Sequence, residues 1–189
     1  MTVYMNAQEG SPVPRPHVAS EAVRLPYAFA VCQVGAEAVV KAEVLRLRPG
    51  WRPAFARPGL VTWKCVEGVT PDEVLPAVFV RAYGASMGAA RSVADVVRWV
   101  ATLGRVGPLR LHVFERDGQR PGARDGSDGT VEDAPDARAD AVRAQIMGCS
   151  DLRGAWADAG TLRPGDLVLD VVVGSGDDEP WLLGVHRYG

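Results

Sequence analysis

The sequence has no apolar run approaching the roughly 18–20 residues that cross a bilayer. Its first twenty residues, MTVYMNAQEGSPVPRPHVAS, lack the basic start and apolar stretch of a secretory signal. Both absences point to a cytoplasmic protein. Cysteine is scarce: Cys32, Cys65 and Cys149 are odd in number and widely spaced, which fits buried thiols in a reducing compartment better than a disulfide framework. Histidine is as scarce, and no two cysteines or histidines fall at the short spacings of a zinc site. No metal is therefore expected. Ser86 and Ser150 have no nearby histidine or strand-elbow context that would make either a nucleophile. Asp177, Asp178 and Glu179 form a run on an exposed turn, where solvent removes the pKa tuning that acid/base work requires. Gly174-Ser175-Gly176 follows a strand but precedes Pro180 and another apolar run, so it lacks the helix that a phosphate loop needs. It reads as a turn. No catalytic residue is assigned.

What is present is an ordinary globular composition. Of 189 residues, 47% are hydrophobic and 23% charged, enough to bury a real core. Residues 1–25 are rich in proline and small polar residues and read as a flexible arm. Tyr27–Gln33 is a short apolar run and reads as a buried strand. Ala36, Val39, Val40, Val44 and Leu47 then recur at helical spacing until Pro49-Gly50 stops them. Strands follow near Trp51–Ala56 and Leu60–Cys65 around an Arg57-Pro58-Gly59 turn. Thr70-Pro71-Asp72 opens a short helix that Pro76 cuts off, and Ala77–Tyr83 is a further strand. Gly84–Gly88 reads as a linker. Ser92 caps a helix whose inner face carries Val93, Val96, Val97, Val100 and Leu103. Leu109–Glu115 alternates as a half-buried strand, and residues 116–134 form a long glycine-rich loop. A helix over Asp136–Met147, a short one around Leu152–Ala159, and strands at Leu167–Val173 and Trp181–Tyr188 complete the chain. The class is α/β (α+β), opening as a β-α-β-β unit.

Net charge is only −2, but it is unevenly spread. Residues 21–112 hold 12 Lys/Arg against 7 Asp/Glu, and residues 113–189 hold 8 against 15. A cationic front steers polyanions; acidic loops in the back serve solubility equally well. The densest basic segment is Lys41, Arg46, Arg48, Arg52, Arg57 and Lys64, interleaved with Trp51, Phe55 and Trp63. Arginine with exposed aromatic surface suits RNA, through phosphate contacts and base stacking. The same pattern also arises when the aromatics are core and the arginines a solvated rim. Arg48, Arg52 and Arg57 are the strongest candidates by charge clustering. A protein-interaction or dimerisation module without RNA affinity is the alternative. A small-molecule enzyme would need a deep polar pocket that the sequence does not announce.

Several segments together resemble the front of the RlmM-type ribosomal-RNA ribose 2′-O-methyltransferases. They are the opening strand followed by Gly35-Ala36-Glu37, the helix with Ala42-Glu43-Val44, and Phe55-Ala56-Arg57-Pro58-Gly59-Leu60-Val61. Val78-Phe79-Val80-Arg81, Leu109–Val113 and Trp181–Arg187 continue the likeness over about residues 27–188. The resemblance implies a ferredoxin-like βαββ subdomain over 26–84 and a THUMP-like α/β subdomain over 85–189. It implies a substrate-recognition role on structured ribosomal RNA, with S-adenosylmethionine expected only in a following catalytic domain on the same chain. No cofactor is expected within these residues.

Overall fold

The computed structural model describes residues 23–104, 108–116, 137–157, 161–174, 176 and 178–189. The expected arm and the glycine-rich loop fall almost wholly outside these residues. The described chain is a mixed α/β structure in which one seven-stranded sheet carries three helices. The apolar run becomes β1 (Leu25–Cys32), paired on both sides. The helical repeat becomes α1 (Glu37–Leu47), and Arg57-Pro58-Gly59 closes a hairpin between β2 (Trp51–Arg57) and β3 (Leu60–Val69). Gly59 supplies the positive φ of 76° that this turn requires. Then follow β4 (Val80–Ala90), α2 (Val93–Thr102), β5 (Leu109–Glu115), α3 (Ala137–Met147), β6 (Leu167–Val173) and β7 (Trp181–Arg187). The strand order is β2-β3-β1-β4-β7-β6-β5, antiparallel except for the parallel β5–β6 pair.

Successive side chains of a strand alternate between faces, and the core clusters follow that alternation. Ala30 and Cys32 pack with Val61 and Trp63 against Val40 and Val44 of α1. Ala28 continues the same face into a larger cluster with Ala85, Leu169, Val171, Leu183 and Val185, closed by Val96 of α2 and Ile146 of α3. Each fully buried valine or isoleucine contributes about 1.5–3 kcal/mol. All three helices therefore cover one face. The opposite face carries no helix among the described residues, only a small cluster of Phe29, Val31, Leu60 and Val172.

Ser92 caps α2 as its sequence predicts, its hydroxyl accepting the Asp95 N–H. Three expectations need correction. Thr70-Pro71-Asp72 starts no helix: Glu73 N–H closes one turn on the Thr70 carbonyl, and the Pro71 carbonyl instead accepts from Arg187 N–H at 2.7 Å. With Pro76 so close, a tertiary donor replaces helical continuation. The strand expected over Ala77–Tyr83 begins at Val80 and runs on through Gly84–Gly88, which is sheet rather than linker. Near residue 152 the described chain makes only a short 3₁₀ turn, Ser150–Leu152, before Trp156 bridges to Leu109. The boundary expected at 84/85 lies inside β4. There the strand changes partner: Val80–Ser86 pairs with β1 and Ala85–Ala90 with β7.

Candidate nucleic-acid interface

The helix-free face is built by register. Arg52 of β2 sits opposite Lys64 of β3, Lys64 opposite Tyr27 of β1, and Tyr27 opposite Ser86 of β4. These four side chains form one row on one face. The next row is Phe55, Thr62, Phe29 and Gly84, and beyond it Arg57 lies opposite Leu60. Arg52 and Lys64 are exposed, as are Phe55 at 48% and Tyr27 at 40%. The Arg57 guanidinium lies over the Phe55 ring, 5.3 Å from its centroid.

A hollow of about 300 Å³ opens beside this row, reached by Tyr27, Phe55, Arg57 and Thr62. On its far side Glu179 receives two guanidiniums, Arg57 at 3.1 Å and Arg116 at 3.0 Å. One carboxylate between two arginines leaves the local balance positive. Arg116 is buried and its Nε has no partner among the described residues. A cationic stacking surface and two exposed rings thus share one open sheet face. That combination suits phosphate contact plus base stacking.

The six basic candidates do not all converge here. Arg52, Arg57 and Lys64 share the open face. Lys41 and Arg46 belong to α1 on the opposite layer, and Arg48 follows its last turn. Arg48 is occupied there, donating to Glu73 at 2.8 Å and to the Val74 carbonyl at 2.8 Å. The aromatics divide as well. Trp63 is fully buried and Trp51 packs beside it at 6.4 Å, so of the three aromatics only Phe55 is offered to a ligand.

The sequence reading missed a second constellation. Asp170 is fully buried at the centre of β6, and its two carboxylate oxygens meet His112 Nδ1 at 2.8 Å and His186 Nδ1 at 2.7 Å. The histidines lie far apart in sequence, and only the β5-β6-β7 order brings them together. One signal was available: a lone aspartate inside the apolar run Leu167–Val173 needs a donor on a neighbouring strand. Among the described residues no group of three or more His, Cys, Asp or Glu is arranged to hold a metal. Burial pushes the Cys32 and Cys65 thiols up to about 11, so neither is a thiolate nucleophile at neutral pH. No helix among the described residues is long and apolar enough to cross a membrane.

Comparison with known proteins gives only distant structural similarity. No protein-family profile matches the chain, and no curated protein matches it in sequence. Among solved structures, TrmN from Thermus thermophilus is similar at 18% identity and a TM-score of 0.39, over 84% of this chain and 44% of that one. A 4-thiouridine synthetase in complex with RNA and ATP is similar at 14% identity and a TM-score of 0.42, over 86% and 41%. A possible methylase from Clostridium difficile 630 is similar at 10% identity and a TM-score of 0.40, over 84% and 40%. The chain spans about two fifths of the length of these proteins. Likeness at this level fixes no function.

Proposed function

We propose that this chain is the RNA-binding, substrate-recognition region of an RNA-modifying methyltransferase, and in the finer reading of a ribosomal-RNA ribose 2′-O-methyltransferase whose catalytic domain follows in cis. On that reading the chain is not catalytic by itself, and it comprises a ferredoxin-like part over 26–84 and a THUMP-like part over 85–189. The observation that carries the reading is the helix-free sheet face, where Arg52, Arg57 and Lys64 stand in register with exposed Tyr27 and Phe55. The sequence resemblance supports the choice of RNA over another polyanion.

Electrophoretic shift of structured ribosomal-RNA fragments tests it. Binding falls steeply as salt rises, because phosphate contacts release counterions. The Arg52→Ala, Arg57→Ala, Lys64→Ala triple variant lowers the slope of log affinity against log salt by about 2–3. The Lys41→Ala, Arg46→Ala pair, on the helix layer, leaves it unchanged. Equal loss in both variants removes this face as the contact. Flat binding at low salt, together with a dimer on a sizing column, favours the interaction-module alternative.

A further inference from the structure

The connection between β6 and β7 reaches back over the helix-free face. Its Glu179 takes Arg57 Nη1 at 3.1 Å on one carboxylate oxygen and Arg116 Nη2 at 3.0 Å on the other. Arg57 ends β2 and is 122 residues away in sequence. The β2–β3 turn and the β6–β7 connection therefore meet beside the hollow of about 300 Å³. We infer that Arg57 and Arg116 form a phosphate-binding site that Glu179 fills from within the chain, and that a ligand's phosphate displaces the Glu179 carboxylate. With RNA as the source of the phosphate, this site rests on the RNA-binding reading above; for free phosphate it does not.

The two guanidiniums have donors to spare. A guanidinium carries five N–H groups in a planar fork that matches phosphate oxygens two at a time. Toward Glu179 each arginine spends a single nitrogen. Arg116 is 8% exposed, and its Nε has no partner among the described residues. A buried guanidinium needs an anion beside it. A phosphodiester carries one negative charge over two non-bridging oxygens, as a carboxylate does over its own two. The exchange therefore keeps Arg116 paired while Glu179 returns to water.

The local backbone does not depend on that carboxylate. Arg138 Nη1 donates to the Gly174 carbonyl at 2.9 Å, and Arg91 Nη1 to the Asp178 carbonyl at 3.0 Å. These bonds pin the connection at both ends, so the Glu179 side chain can leave without it. That side chain is 29% exposed and lies against Gly174, where a Cβ would collide with it. Among the described residues Glu179 is the one carboxylate lining the hollow. Once it swings out, no other acidic side chain lining the hollow opposes an incoming phosphate.

Glu179→Gln tests this, read first by calorimetric titration with inorganic phosphate at constant ionic strength. The substitution removes the internal anion and keeps the side-chain shape. The variant is expected to bind phosphate about tenfold more tightly than the wild type, and adding Arg116→Met abolishes the gain. In electrophoretic shift of structured ribosomal RNA, Glu179→Gln steepens the slope of log affinity against log salt by about 1. The reason is that RNA then displaces salt ions rather than Glu179. If the variant unfolds in chloride, because Arg116 is left unpaired, phosphate at equal ionic strength refolds it. That recovery exceeds the general stabilisation which phosphate gives the wild type. Phosphate affinity no greater in the variant, or no refolding by phosphate, overturns the site and leaves the RNA reading standing. A gain for phosphate with no RNA bound by either protein keeps the site, with a small phosphate compound as its ligand, and removes the RNA reading.

Discussion

At the residue scale, Glu37 shows what a short motif does physically. Its carboxylate accepts the Gly59 N–H at 2.6 Å and the Gly35 N–H at 2.9 Å, tying the start of α1 to the β2–β3 turn. Ala36 provides no side-chain cap, so this carboxylate does the capping from one position further on. Gly35-Ala36-Glu37 was legible in the sequence as a helix start, but its second partner, 22 residues away, was not. Burial pushes the Glu37 carboxyl up, yet the N–H donors of Gly59, of Glu37 itself and of Gly35 outweigh it and leave the pKa lowered. A carboxylate lowered by folding stabilises the native state fully above its ordinary range. That contribution is lost as pH falls through the lowered value. Glu37→Ala leaves the buried Gly59 N–H without its acceptor and costs about 1–3 kcal/mol at neutral pH. Urea unfolding of the variant at pH 7 and near pH 3 checks both points: the gap between variant and parent narrows in acid. A gap that persists unchanged in acid would mean that packing, not the ionised carboxylate, explains the loss.

At the element scale, glycine sets how closely strands and rings approach. The Phe29 ring of β1 lies across the backbone of Gly184 in β7, where a Cβ would run into it, and beside Gly84 in β4, where a Cβ would first meet the Val185 carbonyl oxygen at 2.7 Å. This contact fills the open face where β1, β4 and β7 meet and keeps it shallow enough to present Tyr27 and Lys64. Gly184→Ala is expected to destabilise by about 1–3 kcal/mol through overpacking. Combining it with Phe29→Leu recovers part of the loss, a coupling of about 0.5–3 kcal/mol in a double-mutant cycle. Strict additivity of the two changes would show that the ring and the glycine do not meet.

The same scale shows why the sequence was readable in some elements and opaque in others. β1, α1, the β2–β3 hairpin, α2, β5, α3, β6 and β7 carry their own periodicity or turn chemistry, and each was legible locally. β4 was half legible because Gly84, Ser86 and Gly88 are turn residues by composition. Here the glycines are selected by the Val185 carbonyl against Gly84 and by the Trp99 ring against Gly88. The candidate site was legible only as charge clustering. The division between α1 and the strands separates Lys41, Arg46 and Arg48 from Arg52, Arg57 and Lys64, and the register that lines up the latter is encoded in no one-dimensional pattern. The His112–Asp170–His186 triad depends on strand order, which is further still from local sequence.

At the scale of the whole molecule, β4 decides whether the chain behaves as one unit or two. Its first half completes the β1 side of the sheet and its second half the β7 side, and Ala85 belongs to both ladders, opposite Ala28 and Val185. Ala85 is fully buried in the larger core cluster. The ferredoxin-like and THUMP-like parts proposed here therefore share a strand rather than meeting across a linker. Shared strands couple stability, because each half loses a ladder, β1–β4 or β4–β7, once β4 leaves. Hydrogen exchange in native conditions should give amides of β3 and of β6 the same opening free energy, and urea unfolding should show a single transition by every probe. Ala85→Pro sharpens the test. It removes an N–H from the middle of the sheet, a change of about 3 kcal/mol or more, and it should lower protection in β3 and β6 together. Loss confined to one side would show that the halves fold independently, so that the cationic row on β2–β3 and the His112–Asp170–His186 cluster on β5–β7 are fixed by separate units rather than by one continuous sheet.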